Sequence, residues 1–125
     1  MTMRESIMAA RSGEARQNSD GATVYEFKFA ANDPTFAGHF PGRPILPGVF
    51  QLEMARAAAE WTLVCPLAVR EIIKAKFQRP ILPDETVRVE LKLAEADGAI
   101  RTRASFSVNG QAAGETTLSL CRNQD

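Results

Sequence analysis

Histidine is nearly absent from this chain: among 125 residues there is one, His39. With no second imidazole and no cluster of cysteines or carboxylates beside it, a tetrahedral metal site has too few ligands, and no metal is expected. Cysteine is almost as scarce. Cys65 and Cys121 lie far apart and match neither a C-x-x-C nor a zinc spacing, which argues against a disulfide framework and for a reducing compartment. Net charge is missing too, because fifteen Lys and Arg balance fifteen Asp and Glu. Such a surface has no excess charge to attract nucleic acid, and little repulsion to keep copies apart. No apolar run reaches the length of a membrane span: Ala57 to Val69 is broken by Glu60 and Pro66, and the N-terminus has no apolar core of signal-peptide length. The protein is expected in the cytoplasm.

What remains is the composition of an ordinary globular chain, with 45% apolar and 24% charged residues. Its length suits one domain, 1–125. Residues 3–13 alternate weakly and read as a frayed or an edge strand; the turn residues Gln17 to Gly21 then lead into Val24–Ala30. There Tyr25, Phe27 and Phe29 alternate with Glu26 and Lys28, the period of a half-buried strand. Pro34 breaks it. The residues from Phe36 hold three of the seven prolines and three of the eight glycines up to Glu53, and Phe40-Pro41-Gly42-Arg43 has the form of a type II turn. From Val49 to about Val64 the residues are good helix formers, with Pro47 near the start and Pro66 as the stop. So few of those positions are polar that the helix is expected to be wrapped by other elements. Strands are predicted over Ala68–Phe77, Glu85–Glu95, Ala99–Val108 and Ala112–Cys121, with Asp97-Gly98 and Asn109-Gly110 as hairpin turns. One long helix with four to six mostly antiparallel strands is the α+β class. The pentapeptide R-P-I-L-P occurs at 43–47 and 79–83 without a third copy, and each copy is read as introducing a regular element.

The chemistry concentrates between Phe36 and Glu53. A lone histidine in a stiff loop is a candidate general base. Glu53, in the first turns of an apolar helix, is a candidate acid whose charge burial would disfavour. Gly48 lies between them at the helix start, where free N–H groups and the helix dipole can stabilise an enolate oxygen. Together they suit removal of a proton α to a carbonyl coupled to loss of a β-hydroxyl. The plainer alternatives are a hydrogen-bonded structural His39, a Glu53 paired with Arg56 one turn on, and an Arg56–Glu60 ion pair.

The run G-H-F-P-G-R-P-I-L-P-G-V-F-Q-L-E, with K-F-Q-R-P-I-L-P-D at 76–84, closely resembles the β-hydroxyacyl-acyl-carrier-protein dehydratases of FabA/FabZ type over about residues 22–121. Its wording is nearer to the small dehydratase-like proteins of aryl-polyene clusters. The resemblance implies the hotdog fold, a curved antiparallel sheet wrapped around one helix. It implies His39 and Glu53 as the catalytic pair, contributed by opposite subunits of a dimer, with the Gly48 amide on the thioester carbonyl. The implied reaction is dehydration of a 3-hydroxyacyl thioester to the trans-2-enoyl product without metal or redox cofactor, the acyl chain arriving on the phosphopantetheine of acyl carrier protein. Family members usually place a glutamine four residues after the acid, where this chain has Ala57. Local positive excess nominates Arg43, Lys74, Lys76 and Arg79 for docking the acidic carrier. Two other functions stay open: a hotdog thioesterase, and a non-catalytic carrier-binding subunit, in a homo- or heteromer.

Overall fold

The computed structural model describes residues 2–36 and 44–123. Strands β1 (Arg11–Gln17), β2 (Thr23–Lys28), β3 (Leu67–Phe77), β4 (Thr86–Ala96), β5 (Ala99–Val108) and β6 (Gln111–Arg122) form one antiparallel sheet in the order β1-β2-β4-β5-β6-β3. The alternation read in β4 decides its two faces: Val87, Val89 and Leu91 are buried, while Arg88 and Lys92 face solvent. Across the ladder Val89 meets Phe106 and Leu91 meets Ala104, so apolar side chains pair on the inner face. Asp97, Gly98, Asn109 and Gly110 all take positive φ, between 51° and 78°, as two-residue hairpin turns require.

On the inner face lies α2 (Val49–Leu63), packed against β3, β4, β5 and β6. Phe50, Met54 and Ala55 to Ala59, Arg56 included, are buried, as the shortage of polar positions predicted. Trp61 anchors the far half of the helix to β2, with its ring centroid 5.6 Å from that of Tyr25 and 6.0 Å from that of Phe27. The Arg11 guanidinium covers the indole at 4.4 Å. The helix ends where Val64 turns left-handed (φ 54°), one residue later than Leu63 and two before Pro66.

Residues 3–13 depart from the expected strand. Met3–Ala10 forms a helix, α1, and only from Arg11 does the chain become the strand that hairpins with β2. The reason is a complete capping box: Thr2 accepts from the Glu5 N–H at 3.1 Å, and Glu5 accepts from the Thr2 N–H at 2.9 Å. Ile7 and Ala10 are buried, and α1 packs on α2 and β2. Weak alternation had hidden this T-x-x-E signal.

The two R-P-I-L-P copies meet in space, the Leu46 N–H donating to the Ile81 carbonyl at 2.8 Å. Thus the segment entering α2 and the segment entering β4 brace each other. A second close approach sits on β6. A Cβ at Gly114 would stand 2.3 Å from Gln51 Oε1 and 2.8 Å from the Lys76 carbonyl oxygen, one a helix side chain and the other β3 backbone. Gly114→Ala is therefore expected to destabilise the protein by about 1–3 kcal/mol, read as a lower urea midpoint at unchanged slope.

Candidate active site

Helix α2 starts at Gly48 without a side-chain cap. The Phe50 and Gln51 N–H groups turn back on the Pro47 and Gly48 carbonyls at 3.0 and 2.9 Å, so among the described residues it is the N–H groups of Gly48 and Val49 that are left to the space in front of them. That space is a cavity of about 440 Å³, walled by Ile45, Leu46, Pro47, Phe77 and Ile81 and bordered by Gln51 and Arg79. Space is tight at its mouth: a Cβ on Gly48 would lie 3.0 to 3.2 Å from the Phe77 ring, which would have to move aside for any larger residue. Gln51 is buried, and its Oε1 has no hydrogen-bond partner among the described residues.

Five residues further, about 7.5 Å along the axis, Glu53 emerges on the face that the sheet leaves open. Its side chain is 18% exposed. The setting is ionic, one of the two read from sequence. The Arg56 Nε–H donates to both Glu53 oxygens, at 3.0 and 2.9 Å, and Arg56 Nη2 also donates to Oε1. On the outer side Arg4 of α1 stands 3.5 Å from the same Oε1, its side chain 70% exposed.

Arg56 itself is buried. Its Nη1 donates to the Leu67 carbonyl at 3.1 Å and pairs with Glu60 Oε2 at 2.7 Å. Glu60 Oε2 also accepts the Leu67 N–H at 2.7 Å. The Glu53 carboxylate above all, and then Glu60, hold the guanidinium more firmly protonated than usual, against the opposing pull of burial. Burial is also the largest influence on Glu60 and disfavours its charge, yet the Leu67 N–H and Arg56 together outweigh it and hold the carboxyl below its usual range. Both ion pairs foreseen from sequence therefore exist, and they share one guanidinium.

Gly48 and Glu53 border different cavities. Glu53 lines a small one of about 120 Å³ between α1 and α2, with Arg4, Ile7, Met8 and Trp61. His39 and Arg43 lie outside the described residues. Of the other docking candidates, Lys74 pairs with Glu115 at 2.6 Å and Lys76 is exposed on the same strand. Arg79 follows three residues after Lys76. It pairs with Glu85 at 3.0 Å, is 26% exposed, and borders the cavity at the helix start. The peripheral Arg4 contact on Glu53 was not foreseen, because residues 3–13 were read as strand. The capping box would have placed Arg4 on a helix.

The edge strand β3 completes the picture. After Leu67 and Ala68 all its residues are exposed, and Val69, Ile72, Ile73 and Phe77 are 42 to 51% accessible. Val49 at the helix start and Leu82 add to the exposed apolar surface. Among the described residues no helix is long and apolar enough to cross a membrane.

Known proteins with this architecture agree with the reading from residues. The dehydratase heterocomplex ApeI:P from Xenorhabdus doucetiae is similar at a TM-score of 0.73 and 26% identity, over 87% of this chain and 95% of that one. A hypothetical thioesterase with coenzyme A from Streptococcus pneumoniae, at a TM-score of 0.71 and 9% identity over 97% of this chain and 94% of that one, shares the fold alone. These are hotdog proteins, and the expected hotdog fold is the one adopted. By sequence the chain is 35% identical over 102 residues to a 3-hydroxyacyl-[acyl-carrier-protein] dehydratase FabZ of Desulforamulus reducens, covering 75% of this chain and 72% of the relative. It is 36% identical over 103 residues to the enzyme of that name from Chloroflexus aggregans, covering 76% and 72%. Residues 15–119 match the ApeI-like family, described as ApeI dehydratase, and the chain belongs to that family of dehydratases.

Proposed function

We propose that this chain dehydrates 3-hydroxyacyl thioesters carried on the phosphopantetheine of an acyl carrier protein, in fatty acid or related lipid or polyene synthesis. His39 takes the C2 proton, the C2–C3 double bond forms as the C3–O bond breaks, and the C3 hydroxyl takes a proton from Glu53 and leaves as water; Glu53 regains a proton from solvent as His39 releases its own. The Gly48 N–H receives the thioester oxygen as negative charge develops there. No metal or redox group enters this scheme. The observation that carries it is a part-open carboxylate beside the buried middle of the helix, five residues past an uncapped glycine start that opens onto an apolar cavity. Apolar walls suit an acyl segment, and the Gly48 N–H at the uncapped helix start suits its carbonyl.

The site is built from two chains. Within one chain Gly48 and Glu53 border separate cavities, and the surface beside them carries the exposed apolar residues of β3. A second copy laid along that edge, forming a cytoplasmic homodimer, would bury those residues and bring its own His39 loop to Glu53. Lys74 and Lys76, on the same edge strand, offer the positive charge for an acidic carrier.

The test is incubation of the native protein with 3-hydroxyacyl thioesters on carrier protein or a pantetheine mimic. A conjugated enoyl thioester without free thiol is expected. Release of thiol would make the protein a hydrolase, and no turnover across short, long and aryl-polyene chains would leave a binding subunit.

A further inference from the structure

The clamp on Glu53 is built like a positioning device. All three nitrogens of the Arg56 guanidinium are engaged: Nη1 by the Leu67 carbonyl and Glu60, and Nε and Nη2 by Glu53. Leu67 is the first residue of β3, and its N–H and carbonyl grip the Glu60–Arg56 pair from both ends. The plane of the guanidinium is therefore set by strand backbone, and its free edge is turned toward Glu53. A planar fork against a carboxylate fixes direction as well as distance, which a lysine ammonium cannot do.

A structural account of the cluster explains less. A buried ion pair is weak support for stability, because desolvation offsets most of the attraction. Here the cluster ends on a carboxylate that is 18% exposed, at the small cavity between α1 and α2. A glutamate so placed has three side-chain torsions to sample unless something holds it. Ala57 offers it nothing polar. Arg4 does so only from a side chain that is 70% exposed, at 3.5 Å, where screening leaves such contacts weak.

Building on the dehydratase reading, we propose that Arg56, braced by Glu60 and the backbone of Leu67, is the positioning residue of the reaction. It holds the Glu53 carboxylate in the one orientation that meets the substrate hydroxyl, and Arg4 contributes little. Since misplacing a reacting group by about 1 Å costs on the order of a hundredfold, losing the fork while keeping the charge reduces turnover rather than binding.

The experiment is steady-state kinetics of native protein, Arg56→Lys, Glu60→Gln and Arg4→Ala on one 3-hydroxyacyl thioester, with thermal melts alongside. Arg56→Lys is expected to lower kcat about tenfold to a hundredfold with KM within about threefold. Glu60→Gln, which loosens the brace and leaves an amide oxygen for the Leu67 N–H, is expected to lower kcat several-fold at unchanged KM, and it serves if the lysine variant does not fold. Arg4→Ala is expected to stay within about threefold of native. Three results overturn the inference while native turnover leaves the dehydratase reading intact: Arg56→Lys within twofold of native kcat, Arg4→Ala matching its loss, or a Glu60→Gln change confined to the melting temperature. Absence of native turnover overturns both.

Discussion

Two inactive variants mixed and allowed to exchange subunits are expected to recover about a quarter of native activity. His39→Ala and Glu53→Gln each remove one partner of the pair, and each alone is expected to lower kcat by about 10² to 10⁴. If a site takes His39 from one chain and Glu53 from the other, a mixed dimer contains one site with both residues and one with neither. Random exchange makes about half of the dimers mixed, so about one site in four is complete. The glutamine substitution suits the purpose, because its amide oxygen still accepts from Arg56, whereas alanine would strand a buried cation. The measurement is enoyl thioester formation by the mixture, with exchange verified by tagging one variant and capturing the other. Complete exchange without recovery would place both residues in one chain and sink the shared site.

Ile72→Asp is expected to give a folded, inactive monomer. Ile72 is 51% exposed on the edge strand, so within one chain a change to aspartate touches little and is worth no more than about 0.5 kcal/mol. Between two chains it places unpaired charges in an apolar contact, at a cost of several kcal/mol. Sedimentation should report one chain where the native protein reports two or more, and far-ultraviolet circular dichroism should be unchanged. Turnover should fall by at least about a hundredfold, because a monomer lacks the second chain's half of the site. A monomer with native activity would show that β3 is not where the site is completed.

Strands and turns were legible because their signals are local. Strict alternation in Thr86 to Leu93 and the Asp-Gly and Asn-Gly turns need only neighbouring residues to act, and the ladder places them as read. Helix α2 was legible for the same reason, from good helix formers bounded by Pro47 and Pro66. At residues 3–10 a weak period-two pattern competed with the capping box, and the box prevailed because it satisfies two N–H groups that a frayed strand would leave to water. Glu53 lies on α2 as read, and of the two settings read for it, apolar or paired with Arg56, the structure shows the ionic one. An apolar helix suggests an apolar setting, and nothing local indicates that Arg56 is turned inward by the Leu67 carbonyl, eleven residues on, or that Arg4 arrives from another helix.

By itself, then, the sequence determined the α+β class, the central helix and the strands and turns around it, because periodicity, turn residues and motif spacing act over a few residues. Tertiary structure alone decided the other partners: Arg4 on Glu53, the Leu67 carbonyl on Arg56, Phe77 against Gly48, Gln51 against Gly114, and the two R-P-I-L-P segments side by side. Each of those contacts joins residues on different elements or fixes a side chain by distant backbone. Such contacts depend on how the sheet closes over the helix, which no local pattern encodes.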